Sequence, residues 1–238
     1  MKLAAVAIAS FIAGFLQGCT GFGAVMIMMM ILPFFFPISD SIGIANSSTL
    51  AGNISVAYQY RKHFKIKTVF IPALINMIVN GISILISIKT DKILIKKAFG
   101  VFLVILAVYY LFFNKRKNWE LSLPVRIAMI IGFAVTSAFF GVGGPLIALY
   151  FMNTTESREE YLGSIQFFFM IASLFNIVFR IATGLLVKEH ILPIIIGMLC
   201  VMLSGFLSRP FVKRMNVKHA EFLTYIFVGL TGLYNIFF

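Results

Sequence analysis

Gly21-Phe22-Gly23 recurs later in the chain as Gly141-Val142-Gly143-Gly144-Pro145. Each copy lies inside an apolar stretch, residues 3–37 or 124–152, that is longer than the roughly 20 residues of a simple membrane-spanning helix. Backbone that is freed from a helix within a membrane is tolerated only where it lines a protein cavity. Paired interruptions in two halves of one chain are typical of transport sites. The motif therefore predicts two related halves, each with a helix broken within the membrane.

The composition excludes an ordinary soluble domain. Of the 238 residues, 61% are hydrophobic and 12% are charged, whereas soluble domains carry about 25% charged residues. The net charge of +12 comes from Lys and Arg clustered in short loops, where membrane topology explains it better than nucleic-acid binding does. The two cysteines and three histidines form no disulfide framework and no metal-ligand spacing. We expect a lipid bilayer as partner, no nucleic acid, no metal and no cofactor.

The distribution of charges favours a topology in which each glycine-broken stretch enters the membrane and returns. The Lys and Arg residues in the loops or near the ends of the apolar segments, which are all of them except Arg180, can be assigned to the two faces. If all eight apolar segments crossed once, these residues would divide ten against nine. If the two broken stretches are hairpins without a net crossing, the division is thirteen against six. The second division is the asymmetry that the positive-inside rule expects.

The predicted fold is an all-α polytopic membrane protein with two inverted-topology repeats. Residues 1–113 and 114–238 form these repeats, and each consists of a glycine-broken helical hairpin and three transmembrane helices. Three net crossings per half invert the second half relative to the first, so both termini face outward. The sequence leaves open whether the hairpin arms are half or full spans.

The returning helix of each hairpin is predicted to begin near the middle of the membrane. Helix N-termini carry unpaired N–H groups and about half a positive charge, and glycines allow a ligand to approach the backbone. Two such ends meeting at one point would form an anion site. The candidate binding residues are Thr20, Gly21, Gly23, Asn46, Ser47, Ser48, Gly141, Gly143, Gly144, Ser164, Gln166 and Arg180. The alternative is close helix packing by the glycines and interhelical hydrogen bonding by the polar residues.

These motifs resemble those of the TauE/SafE sulfite exporter family over essentially the whole chain. Gly21-Phe22-Gly23 followed by Pro33 and then Ala45-Asn46-Ser47-Ser48 resembles the pattern of the first half, and Gly141–Pro145 resembles the glycine cluster of the second half. The chain departs from that pattern at Ala24, where a further glycine is expected, and in the divergent stretch 162–166. Both departures fall near the predicted ligand site.

The resemblance implies a secondary transporter that moves sulfite, sulfonates or related organosulfur anions across the cytoplasmic membrane of a bacterium. The expected partner is a small anionic substrate that contains sulfur. We expect alternating access around the fixed site and no enzymatic activity, since no catalytic pair faces a cavity. A passive anion channel, a transporter of other small carboxylates and an assembly factor remain alternatives. The sequence leaves open the direction of transport, the coupling ion and whether the chain forms a homodimer.

Overall fold

The computed structural model describes residues 1–20, 23–113 and 122–212, together with residues 229, 232, 233, 236 and 237. These described residues form helices and no β-strand, which confirms the all-α prediction. Their α-helices are α1 (Lys2–Thr20), α2 (Ala24–Ile31), α3 (Ile38–Gln59), α4 (Ile66–Lys89), α5 (Lys92–Phe113), α6 (Leu123–Phe140), α7 (Gly144–Thr154), α8 (Arg158–Ala182) and α9 (Ile191–Val212). Short 3-10 turns cover Leu32–Phe34 and Lys188–His190.

Four stretches in the described part of the chain are long and apolar enough to cross a membrane. They are α4, α6, α8 and Lys188–Ser208, which includes most of α9. Lys2–Gly18 and Ala24–Phe34 are shorter apolar helical stretches. Helix α3 is as long as a span, but it carries buried Asn, Ser and Thr side chains. The chain is thus a multi-pass membrane protein with one polar helix.

The two glycine motifs separate a long helix from a short one. At 1.5 Å per residue, α1 and α6 are about 28 and 27 Å long, whereas α2 and α7 are about 12 and 17 Å long. The ammonium of Lys2 lies 5.4 Å from the ring centroid of Phe36, so the chain returns to the neighbourhood of its start after the first motif. The first arm of each pair is nearly a full span in length, and the second is about half a span.

Local sequence explains where the helices begin and end. Gly141 ends α6 with a φ of 71°, and Pro145 occupies the first turn of α7, where its missing N–H costs nothing. Helix α8 begins after Ser157, whose hydroxyl accepts a hydrogen bond from the Glu160 N–H at 3.1 Å. Such a cap satisfies one of the donors that a helix start leaves without a partner.

Helices from the two halves of the sequence pack crosswise. Helix α1 packs along α9, α6 packs along α4, and α3 and α8 contact each other at the centre. A Cβ atom on Gly14 or Gly18 would overlap the hydroxyl of Ser204 or Ser208. Small residues therefore let α1 and α9 approach closely, as is common between membrane helices.

The outer faces of the bundle are apolar, and its centre is polar. Helices α4 and α9 expose large aliphatic and aromatic side chains along one face, whereas much of α3 is buried. Met26, Met28, Met29 and Met30 are all buried in the core around the first hairpin. This arrangement leaves the polar residues of α3, α4 and α8 inside the bundle.

Candidate functional site

Both glycine motifs line one cavity at the centre of the bundle, which we call the central cavity. Gly23 and the first turn of α2 form one side, and residues 141–144 form another. Residues from the middle of α3, α4 and α8 form most of the remaining wall, to which Gln17 of α1 and Phe133 and Ser137 of α6 also contribute: Asn46, Thr49, Asn53, Asn76, Asn80, Phe169, Ala172, Ser173 and Asn176. Because these residues lie near the midpoints of their helices, the cavity lies about halfway along the bundle.

The two turns use glycine for different physical reasons. Gly23 has a φ of 98° and precedes α2, and a Cβ atom there would meet nothing within 4 Å. In the second turn the left-handed glycine is instead Gly141. Gly143 has a φ of −141°, and a Cβ atom there would lie 2.6 Å from Phe133 Cδ2 and 2.8 Å from its carbonyl oxygen. Conformation therefore requires glycine at Gly23 and Gly141, and close packing requires it at Gly143.

Backbone donors are concentrated on the α2 side of the cavity. The first hydrogen bond of α2 runs from the Ile27 N–H to the Gly23 carbonyl at 3.1 Å. The N–H groups of Ala24, Val25 and Met26 therefore have no acceptor within the helix, and these residues line the cavity. Helix α7 offers fewer donors, since Pro145 has no N–H and the Leu146 N–H bonds to Gly143 at 3.0 Å.

The wall of the central cavity combines polar and apolar side chains, and none of its described residues is charged. Nine of its described lining residues have amide or hydroxyl side chains: Gln17, Asn46, Thr49, Asn53, Asn76, Asn80, Ser137, Ser173 and Asn176. No Asp, Glu, Lys, Arg or His is among the lining residues. The cavity volume is about 50 Å³. A water molecule needs roughly 10–15 Å³ on this measure, so the space suits a group of about four heavy atoms.

One chain of hydrogen bonds joins the wall to a buried arginine. Arg180 Nε donates to Asn176 Oδ1 at 2.7 Å, and Asn176 Nδ2 donates to Asn80 Oδ1 at 3.3 Å. Asn80 Nδ2 donates in turn to the Ala134 carbonyl at 2.9 Å. This chain links α8 to α4 and α6, and it places a cation one residue behind the cavity wall.

A second chain joins α1, α3 and α8 through neutral groups. Gln17 Nε2 donates to Asn53 Oδ1 at 2.9 Å and approaches Gln166 Oε1 at 3.4 Å. Asn53 Nδ2 lies 3.4 Å from the Ser173 hydroxyl. Two amides of the cavity wall, Asn53 on α3 and Asn176 on α8, are thus each held by a donor. Asn53 accepts from Gln17, and Asn176 accepts from Arg180.

Five of the residues predicted from the sequence line the central cavity. They are Gly23, Asn46, Gly141, Gly143 and Gly144. Gln166 lies behind Gln17, and Arg180 lies behind Asn176. Gly21 and the side chain of Thr20 lie outside the described residues.

Three predicted hydroxyl residues lie apart from the cavity. Ser47, Ser48 and Ser164 are buried, do not line it, and their hydroxyls have no hydrogen-bond partner. A Cβ atom on Gly197 of α9 would overlap the Ser48 hydroxyl. The surroundings of Ser48 are those of a small residue in a close helix contact.

Sequence reasoning missed several residues that line the cavity. Gln17 and Ser137 each lie four residues, about one helical turn, before the first glycine of their motif. Asn76 and Asn80 have the same spacing and share one face of α4. A polar residue one helical turn from a glycine motif, or from another asparagine, was the sequence pattern that could have predicted these lining residues.

A second cavity, of about 710 Å³, lies at one end of α4 and α8. Its wall includes the start of α3 and of α5 and the C-terminal ends of α4, α6 and α8. His190 Nε2 lies 3.4 Å from Asp40 Oδ2, and both residues line this cavity, as does Arg180. Arg180 therefore lies between the two cavities.

The opposite end of α4 and α8 is held together by an ion pair. Lys65, just before α4, has its Nζ 3.8 Å from Glu160 Oε1 and 4.0 Å from Glu156 Oε1. Glu160 is buried, whereas the side chain of Lys65 is 67% exposed. Phe64 also stacks on Phe167 of α8, with ring centroids 4.6 Å apart.

The fold and the central cavity define a multi-pass membrane protein that encloses a small polar space between two broken hairpins. The family model described as sulfite exporter TauE/SafE matches residues 6–235. The chain therefore belongs to the TauE/SafE sulfite exporter family, a family of transporters, as its motifs predicted. No curated protein and no solved structure matches the chain significantly.

Proposed function

We propose that this protein is a secondary transporter that exports a small sulfite-type or organosulfur anion by alternating access, with the substrate bound in the central cavity. The observation that carries the proposal is the central cavity itself. It is lined by Gly23 and residues 141–144 of the two turns, by neutral amide and hydroxyl side chains and by apolar side chains, and none of its described lining residues is charged. Membership in a sulfite exporter family supports the anionic substrate.

The chemistry of the cavity suits an anion that must bind and leave. The exposed N–H groups at the start of α2 and the positive end of its dipole attract negative charge. Neutral amide and hydroxyl donors satisfy oxyanion oxygens without the deep trap that a salt bridge in a low-dielectric site would create. The volume of about 50 Å³ is enough for a small oxyanion group.

The packing of the helices supports the inverted repeat. If α1, α3 and α4 are matched with α6, α8 and α9 in order, the contact of α1 with α9 corresponds to that of α6 with α4. The contact of α3 with α9 corresponds likewise to that of α8 with α4. A two-fold relation between the halves explains both correspondences. The segment of the second half that would match α5 falls within residues 213–238, most of which lie outside the described residues.

Two contacts between distant loops support the hairpin topology. Eight single crossings would put Lys65 and Glu160 on opposite faces of the membrane, and would do the same for Asp40 and His190. The hairpin topology puts each pair on one face. The two pairs are in contact, at 3.8 and 3.4 Å, as that topology requires.

In that topology, the second cavity faces outward and the Lys65 pair faces the cytoplasm. The arrangement then corresponds to an outward-facing state, in which the inner end of the bundle is closed. Alternating access requires that the inner end opens, so that the contacts of Lys65 with Glu160 and of Phe64 with Phe167 separate. Location in the cytoplasmic membrane of a bacterium and homodimer formation remain predictions.

Transport by the purified protein in proteoliposomes tests the proposal. Vesicles loaded with sulfite, taurine, sulfoacetate or acetate are diluted into anion-free buffer, and release of each anion is followed over time. We expect release of sulfite well above that of protein-free vesicles, with saturation at high concentration. Absence of transport of any anion would refute the proposal, and single-channel currents in a planar bilayer would show a passive channel instead.

A further inference from the structure

We propose that Arg180 is a positioning residue that sets the preference of the central cavity for anions without contacting the substrate. It does so by fixing and polarising the Asn176 amide at one end of the hydrogen-bond chain through Asn176 and Asn80. The inference rests on the proposed function, because it concerns the same cavity.

Arg180 can hold Asn176 in only one orientation. Its side chain is 1% exposed, and a guanidinium donates hydrogen bonds but cannot accept them. Because Arg180 Nε lies 2.7 Å from the Asn176 amide, the atom of that amide that faces it must be the oxygen. Arg180 also donates to the carbonyl of Ala138 at 3.0 Å and lies 3.4 Å from that of Ser39, so the guanidinium itself is held in place.

The far end of the chain imposes the same direction. The Ala134 carbonyl can only accept a hydrogen bond, so the Asn80 atom 2.9 Å from it must be the amide nitrogen. The Asn80 oxygen then faces Asn176 and accepts from its Nδ2 at 3.3 Å. A donor-only group at one end and an acceptor-only group at the other leave no freedom for either amide to flip.

This fixed direction has a consequence for the ligand. Asn176 lines the central cavity, and its oxygen is occupied by Arg180. Its nitrogen has two N–H groups, of which one bonds to Asn80, so the second remains for the cavity. A cation behind the amide oxygen also polarises the amide and strengthens the N–H as a donor. An anion in the cavity therefore meets, at Asn176, a donor with positive charge behind it.

The second hydrogen-bond chain of the cavity joins side chains that are themselves neutral. It runs through Gln17, Asn53, Ser173 and Gln166, and a hydroxyl such as that of Ser173 can donate or accept. The chain through Asn176 and Asn80 is therefore the one that ends on a charged group and whose direction is fixed at both ends.

Proteoliposome transport of sulfite by Arg180→Gln and Arg180→Lys tests the inference. Glutamine removes the positive charge that polarises Asn176, while Asn80 and the Ala134 carbonyl still set the direction of the chain. The Asn176 N–H then becomes a weaker donor, so we expect KM for sulfite to rise by about tenfold, the scale of a hydrogen bond to a charged group. Lysine is also a donor-only cation, so we expect KM to remain within about threefold of the wild-type value. A purely structural role would lower the yield of folded protein and the maximal rate, while leaving KM unchanged.

A double-mutant cycle with Asn176→Ala separates action through Asn176 from a direct effect. If Arg180 acts only through this amide, Arg180→Gln raises KM no further once the amide is removed. Additive effects on KM would overturn the inference, and so would an unchanged KM in Arg180→Gln.

If Arg180→Gln does not fold, Asn176→Ala decides the question. It removes the N–H that Asn176 offers to the cavity without placing an acceptor against the Asn80 oxygen or a charge in the cavity, so we expect a raised KM. An unchanged KM would overturn the inference. Failure of the wild-type protein to transport any anion would overturn the proposed function, and this inference with it.

Discussion

Replacing Asn53 with aspartate changes the charge of the central cavity while leaving its shape nearly intact. Asn53 is 3% exposed and lines the cavity. An aspartate has the same shape, and one of its oxygens can accept from Gln17 Nε2, as Asn53 Oδ1 does at 2.9 Å. The other oxygen can accept from the Ser173 hydroxyl, which lies 3.4 Å from Asn53 Nδ2. We therefore expect Asn53→Asp to fold in the membrane like the wild-type protein.

The added carboxylate should repel a bound anion strongly. In a cavity of about 50 Å³, any ion is held within roughly 5 Å of the wall. At that distance and an effective dielectric constant of about 20, two like charges repel by about 3 kcal/mol. That energy corresponds to a loss of affinity of roughly two orders of magnitude.

The assay is the concentration dependence of sulfite release from proteoliposomes, with Asn153→Asp as the matched control. Asn153 lies at the end of α7 and lines neither cavity, so the same substitution there should change KM by less than about threefold. A similarly small change in Asn53→Asp would refute the conclusion that the anion binds in the central cavity. A large change in both variants would point to an effect of overall charge.

Three further predictions concern the turns and the packing. Gly143→Leu should reduce the rate of transport at least about tenfold, because a Cβ atom at this position would lie 2.6 Å from Phe133 and overpacking costs about 1–3 kcal/mol. Transport by this variant at the wild-type rate would contradict the prediction. Gly14→Val should separate α1 from α9 and lower the unfolding temperature of the protein in detergent. The control is Ala4→Val on the exposed surface, and equal unfolding temperatures for the two variants would contradict the close packing. In a Phe64→Cys background, Lys65→Ala should increase labelling of the new cysteine from the cytoplasmic side by at most about fivefold, because an exposed ion pair contributes about 1 kcal/mol or less. Unchanged labelling would mean that the pair of Lys65 with Glu160 does not help to close the inner end.

The broken hairpins could be predicted because their causes are local. A φ of 98° at Gly23 and of 71° at Gly141 requires residues without a Cβ atom. Pro145 marks the start of α7 because it has no N–H to donate. The charge asymmetry between the loops depends on sequence alone. The all-α fold and the family follow from these local signals and from the apolar composition.

The composition of the cavity wall could be predicted only in part, because it depends on how the two halves pack. A duplicated sequence fixes the order of helices within each half, but it does not determine that α1 packs along α9 and α4 along α6. This packing brings Gln17 beside Asn53 and Asn80 beside Asn176. Their separations of 36 and 96 residues leave no local pattern that would indicate contact.

The role of Arg180 could likewise be predicted only in part from the sequence. Its position inside an apolar segment predicted a functional role, and binding to the substrate was the simplest interpretation. The structure instead puts Asn176, one helical turn before it, between the guanidinium and the central cavity. Whether a buried charge contacts a ligand or acts through a neighbour depends on side-chain packing, which the sequence does not specify.

The most direct test of the account is to locate a bound anion crystallographically. Selenite has the shape and charge of sulfite, and its selenium atom scatters anomalously. We predict one strong anomalous peak between Gly23 and residues 141–144, within hydrogen-bonding distance of Asn53 or Asn176. A peak confined to the second cavity near Asp40 and His190, with none in the central cavity, would contradict the account.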